Sequence, residues 1–126
     1  MATHDQKTQN LDILCAEKGR VLAQIPGMEE RILNAALAVL EEQGPYAMLL
    51  YLKARHSEEF GKAEEKVFKG LLRDVFRDKF GNQADALAMI STLAQNLDDL
   101  LFARDLLRMT LSYARYHLKA KGGSTS

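Results

Sequence analysis

Cysteine occurs once in this chain of 126 residues, proline twice and tryptophan not at all. A lone Cys15 forms no internal disulfide, so nothing covalent holds the fold together, and that usage fits a reducing compartment. There is no run of about 18 apolar residues, so no membrane span is expected. The polar opening, Met1-Ala-Thr-His-Asp-Gln-Lys7, lacks the apolar stretch of a secretion signal, which makes the cytoplasm the expected location. An excess of one charge is also missing: 17 basic residues balance 17 acidic ones. This balance argues against a free-standing, high-affinity nucleic-acid binder, which is usually basic overall. A few phosphate contacts inside a larger assembly remain compatible with it.

Catalytic and metal-binding motifs are missing too. His4, His56 and His117 are far apart, and none has partners at metal-ligand spacing. His56-Ser57-Glu58 is the most suggestive triplet, but neighbours at a helix end point in different directions. His56 reads instead as a helix-end residue, favourable to the dipole there. Cys15 reads as a buried, inert thiol. Gly122-Gly123 is followed by no helix and makes no phosphate loop. Asp98-Asp99 is explained by capping and the dipole at a helix start. The expectation is a protein with no catalytic site, metal or cofactor.

What the sequence does have is helical periodicity. Leu11, Leu14, Val21, Leu22 and Ile25 predict a first helix over about 5–25, ended by Pro26-Gly27. Gly19 weakens it and allows a close helix contact. A second helix, about 28–43, buries Ile32, Leu33, Ala36, Leu37 and Leu40. Gly44 suits its C-terminal turn, and Pro45 the first turn of a third helix, about 45–56. That segment is nearly all apolar. A buried strand competes for Ala47 to Leu52, but Ala, Met and Leu lack β-branching and favour helix. A fourth helix, about 58–79, buries Phe60, Val67, Phe68, Leu71, Leu72 and Val75. A fifth, about 83–95, starts near Asn82 or Asp85, and Asn96 or Asp98 caps a sixth that runs to Lys121. The fold class is all-α: a compact single domain over 1–126, a bundle of about six helices. About 10–121 is expected to be ordered, with a polar arm at 1–9 and a Gly/Ser tail at 122–126.

Two basic stripes stand out against the neutral total. On the fourth helix Lys62, Lys66, Lys69, Arg73 and Arg77 recur at spacings of 4, 3, 4 and 4. The bland reading is a solvated face helped by Glu58–Lys62 and Glu65–Lys69 pairs. Against it, like charges one turn apart repel by a few tenths of a kcal/mol each. On the last helix Arg104, Arg108, Arg115 and Lys119 fall within about 60° of one another at 100° per residue. Leu100, Ala103, Leu107, Leu111, Ala114 and Leu118 gather on one side of that seam, and Phe102, Leu106, Met109, Tyr113 and Tyr116 on the other. A helix apolar on two sides must be covered twice. A protein interface, a nucleic-acid surface and internal packing all remain open for the aromatic side.

The segment Ala35-Ala-Leu-Ala-Val-Leu-Glu-Glu-Gln-Gly-Pro-Tyr-Ala-Met-Leu-Leu-Tyr-Leu-Lys-Ala-Arg55 is a helix, a glycine turn and an apolar helix. With the amphipathic stretch Gln6 to Ile25 and the closing run Ala103 to Lys119, it resembles the small helical subunit of type III-B (Cmr) CRISPR effector complexes. Small subunits of type III-A and type I complexes are similarly small and helical. The resemblance implies a non-catalytic subunit that stacks in copies along a filament of backbone subunits. It would line the groove holding guide RNA paired with target RNA. Arg55, Lys62, Lys66, Arg73, Arg104, Arg108, Arg115 and Lys119 are the candidates for sequence-independent phosphate contact. The contrasting expectation is a helical protein–protein adaptor with no nucleic-acid role. Basic stripes on one surface favour RNA, whereas stripes pointing apart or neutralised by Glu29, Glu30, Glu41 and Glu42 favour the adaptor.

Overall fold

The computed structural model describes residues 3–122, with side chains described for 10–122. The expected arm lies partly, and the tail largely, outside the described residues. Six α-helices follow one another: α1 (Thr3–Ala23), α2 (Glu30–Gln43), α3 (Pro45–Arg55), α4 (Glu58–Phe76), α5 (Ala86–Leu93) and α6 (Leu97–Gly122). The described residues contain no strand, so the chain is all-α, and Ala47 to Leu52 is helix.

The joints are set by a few residues. Gly44 takes φ 97°, a region costly for side-chain-bearing residues, and turns α2 directly into Pro45 at the start of α3. Ser57 caps α4 by accepting from the Phe60 N–H at 3.3 Å. Asp85 caps α5 through the Ala88 N–H at 2.8 Å, and Asn96 caps α6 through the Asp99 N–H at 3.0 Å. These caps satisfy amide donors that a helix start otherwise leaves unpaired. The fourth helix is shorter than its periodicity predicts. It stops at Phe76, Arg77 adopts φ +47°, and residues Arg77–Lys79 form a single 3-10 turn. Arg77 is thereby turned off the α4 stripe.

The α6 helix is the axis of the bundle. It packs against α1 along its length and also meets α2, α5 and α3, while α4 lies on α1 and α5. The closest approach is at Gly19. A Cβ there would stand 2.7 Å from the Tyr113 Cβ, 2.8 Å from the Thr110 carbonyl oxygen and 2.9 Å from the Ala114 nitrogen. The α1–α6 crossing therefore depends on the missing side chain. Nearby, the Cys15 thiol is sealed in the core and reaches the Leu106 carbonyl at 3.7 Å. Burial pushes that thiol's pKa up, which keeps it protonated and unreactive.

The double cover that α6 needs is thus largely internal. Leu106 is fully buried beside Leu107 and Leu111, and Tyr113 donates to Asp12 of α1 at 2.7 Å. Only the ends of the aromatic side look outward. Phe102 sits edge-on to Phe76 with centroids 5.7 Å apart, and Tyr116 is 60% exposed. Fully buried Leu22, Leu33, Leu40, Met48, Phe68, Leu71, Met89 and Leu107 bring every helix into one core. Each such side chain contributes about 1.5–3 kcal/mol of apolar burial before the entropy of ordering is set against it.

Candidate functional site

The two basic stripes end up in different surroundings. The α6 seam lies against α2, whose carboxylates take up its charge. Arg108 pairs with Glu41 at 2.5 Å and with Asp105, one turn back, at 3.2 Å. The hydrogen bond that Arg108 donates to Glu41 is the main reason the guanidinium is held above its ordinary pKa. Arg115 and Lys119 converge on Glu30 at 3.6 and 3.3 Å. Arg104 is half-buried, and its Nε is sealed without a partner. Glu29 is taken by Arg31 instead, at 2.6 Å. Of the four carboxylates whose pairing with the basic stripes would favour the adaptor reading, Glu30 and Glu41 pair with the seam.

The α4 stripe is otherwise. Lys62, Lys66, Lys69 and Arg73 line one shallow depression with Glu65 and Gly70. The expected Glu65–Lys69 pair does not form, because the Glu65 carboxylate accepts the Ala86 N–H at 2.8 Å. Lys62 keeps its Glu58 partner at 3.2 Å, with both side chains mostly exposed. Arg73 donates to the Gly81 carbonyl at 3.1 Å, a contact that leaves its charge uncompensated. Among the described residues, no carboxylate lies within ion-pair distance of Lys66 or Lys69. Arg55 stands apart at the end of α3, its guanidinium 5.3 Å from the Tyr51 ring centre. The structure therefore gathers Lys62, Lys66 and Arg73 with Lys69. It sets Arg108, Arg115 and Lys119 against α2.

A second feature escaped the sequence reading. A cavity of about 330 Å³ opens between α3, the first turns of α4 and the cap of α5. Leu49, Leu52 and Phe68 form its apolar wall, and Lys53, Lys62 and Asp85 are among its polar lining. Glu64 also lines it, only 3% exposed, and its Oε1 lies 2.7 Å from His56 Nδ1. Burial pushes the Glu64 carboxyl up from its ordinary value, while the hydrogen bond and charge of His56 pull the other way. The His56 ring is held edge-on by Phe60, with centroids 4.8 Å apart. The triplet His56-Ser57-Glu58 does not act as a unit. Ser57 is a helix cap, Glu58 belongs to Lys62, and the partner of His56 lies two turns along α4. The available signal was register: Glu64 is one turn from both Phe60 and Phe68, inside the buried arc.

The residues define an all-helical bundle with a cation-lined depression on one helix and an enclosed acid–imidazole pair beside it. No family model matches the chain, and no curated protein or solved structure matches it either. Among the described residues, no helix is long and apolar enough to cross a membrane, and no three His, Cys, Asp or Glu side chains cluster to hold a metal ion.

Proposed function

We propose that this chain is a non-catalytic, cytoplasmic subunit of a CRISPR ribonucleoprotein effector of the type III-B kind. On this reading its copies stack beside the backbone subunits and meet the phosphates of paired guide and target RNA. The observation that carries the reading is the α4 depression, where Lys62, Lys66, Lys69 and Arg73 sit together and, among the described residues, no carboxylate lies within ion-pair distance of Lys66 or Lys69. A solvated stripe has no use for four like charges in one hollow, whereas a phosphate chain does. The sequence resemblance supplies the kind of assembly. The neutral net charge is compatible with it, since repeated copies multiply weak contacts.

The test is charge reversal at Lys66 and Lys69 in the assembled complex. The double variant Lys66→Glu/Lys69→Glu should weaken RNA binding and flatten the dependence of log K on log salt by about two, one for each lost contact. Unchanged affinity and slope overturn the RNA reading. The adaptor reading would then stand, favoured by the engagement of Arg108, Arg115 and Lys119 with Glu41 and Glu30.

A further inference from the structure

The cavity under α4 is a built site with unused chemistry. Glu64 is more than nine-tenths buried, and one of its two oxygens is held by His56. No donor among the described residues reaches the other, Oε2. Among the described residues, the side-chain atoms sealed away without partners are Arg104 Nε, Thr110 Oγ1 and Arg115 Nε. Glu64 Oε2 is not among them, so it retains access to the cavity that Glu64 lines. A nearly buried carboxylate oxygen with no protein donor leaves a hydrogen bond for a ligand to make.

The other walls narrow the choice. An uncharged ligand with N–H donors satisfies the open oxygen without opposing Lys53 and Lys62 in the same lining. Leu49, Leu52 and Phe68 offer an apolar wall for a flat ring. Lys53 and Lys62 are exposed, and Lys62 and Glu65 are shared with the cation-lined depression alongside. A phosphate carried on the base's ribose would have Lys53 and Lys62 of the cavity lining at hand, the latter drawn from its exposed pair with Glu58. The volume, about 330 Å³, lies at the small end of ligand pockets, which begin near ~300 Å³. Among nucleobases, guanine alone presents a ring N–H and an amino group side by side. Adenine and cytosine offer one amino group, and uracil one ring N–H.

We infer that this cavity binds the guanine base of a nucleotide, its N–H edge on Glu64 and its phosphate toward Lys53 and Lys62. The chemistry is shared by a free guanosine monophosphate and by an unpaired guanosine within an RNA strand. The strand alternative rests on the phosphate-contact reading above, and the free nucleotide does not.

Equilibrium binding of the purified full chain tests it, with guanosine, adenosine and cytidine monophosphates and inorganic phosphate as probes. Guanosine monophosphate should bind at least fivefold tighter than the others. Glu64→Gln, nearly isosteric and able to accept from His56, should erase that preference while the far-ultraviolet circular dichroism stays helical. Lys66→Glu/Lys69→Glu should leave guanosine monophosphate binding within about twofold, so failure of the RNA-groove reading and failure of this one are separable. A strand with one unpaired guanosine, compared with the same strand carrying uridine, locates the source. A preference for guanosine assigns the site to RNA, and no preference with retained mononucleotide binding assigns it to the free nucleotide. Equal binding of all three nucleotides, no binding, or a preference that survives Glu64→Gln overturns the inference.

Discussion

Replacing Gly19 by alanine should destabilise this protein even though alanine is the better helix former. In an exposed helix interior the exchange gains up to about 1 kcal/mol. At Gly19 the added methyl group would lie 2.7 Å from the Tyr113 Cβ, 2.8 Å from the Thr110 carbonyl oxygen and 2.9 Å from the Ala114 nitrogen. Two of these are backbone atoms of α6 and cannot rotate aside. Relief requires α1 to move off α6 by most of an ångström, loosening Cys15 and Leu22, both fully buried. Overpacking costs typically about 1–3 kcal/mol, and three simultaneous overlaps place this case at the upper end. The net is a loss of about 2 kcal/mol. With about 2.1 cal/mol/K of unfolding entropy per residue, a chain of this length should melt about 8 °C lower. Thermal and urea unfolding followed by circular dichroism measure it. Gly61→Ala is the control, since nothing lies within 4 Å of a Cβ built there. It should stabilise by up to about 1 kcal/mol. A Gly19→Ala protein melting at or above the wild type would refute the account of the α1–α6 crossing.

Removing the caps Ser57→Ala and Asp85→Ala should each cost about 1 kcal/mol, or about 4 °C in melting temperature; effects below a third of that would mean the caps are replaced by solvent. The Glu64 carboxyl should leave a pH signature in stability. Its folded pKa is raised above the ordinary 4.5, so folding favours its protonated form. That contribution is full below the ordinary value and is lost as pH rises through the raised one. Gln does not titrate, so the wild type should lose stability relative to Glu64→Gln as pH climbs above the ordinary carboxyl value of 4.5. A constant or opposite difference would show that burial is not what governs Glu64.

Much of the fold was legible because apolar spacing, Gly-Pro punctuation and capping residues agreed with one another. Six helices, the break at Gly44-Pro45 and the closeness of Gly19 all follow from such local signals. The early stop of α4 does not. Arg77 continues the basic stripe in sequence, yet the chain turns there through a positive φ to bring Phe80 into the core. The candidate site was legible by halves. Charge periodicity found the α4 stripe, but its wish for a Glu65–Lys69 pair met a stronger demand, the unpaired amide of Ala86. Glu64 was missed because a glutamate in an amphipathic helix is ordinarily solvated, and its burial depends on α3 closing over it. The pairing of Arg108 with Glu41 spans 67 residues and depends wholly on how α2 docks.

That docking bears on how the α6 seam should be weighed against the α4 stripe. The ion pairs of Arg108, Arg115 and Lys119 are one-third to one-half exposed. Exposed pairs are worth about 0.2–1 kcal/mol each and weaken further with salt. A strand of phosphates presents repeated charge, and the counterions it releases reward each cation by a comparable amount. On the proposed RNA reading, Glu30 and Glu41 would lower the seam's contribution to anion binding without abolishing it, whereas among the described residues no carboxylate pairs with Lys66 or Lys69. The order of effect follows: reversal on α4 should reduce RNA affinity more than reversal on α6. Neutralising Glu30 and Glu41 together should raise that affinity while costing the fold no more than about 3 kcal/mol, at most about 1 for each of the three pairs lost. An unchanged affinity after that neutralisation would place the seam outside the RNA surface, as a tie between α6 and α2.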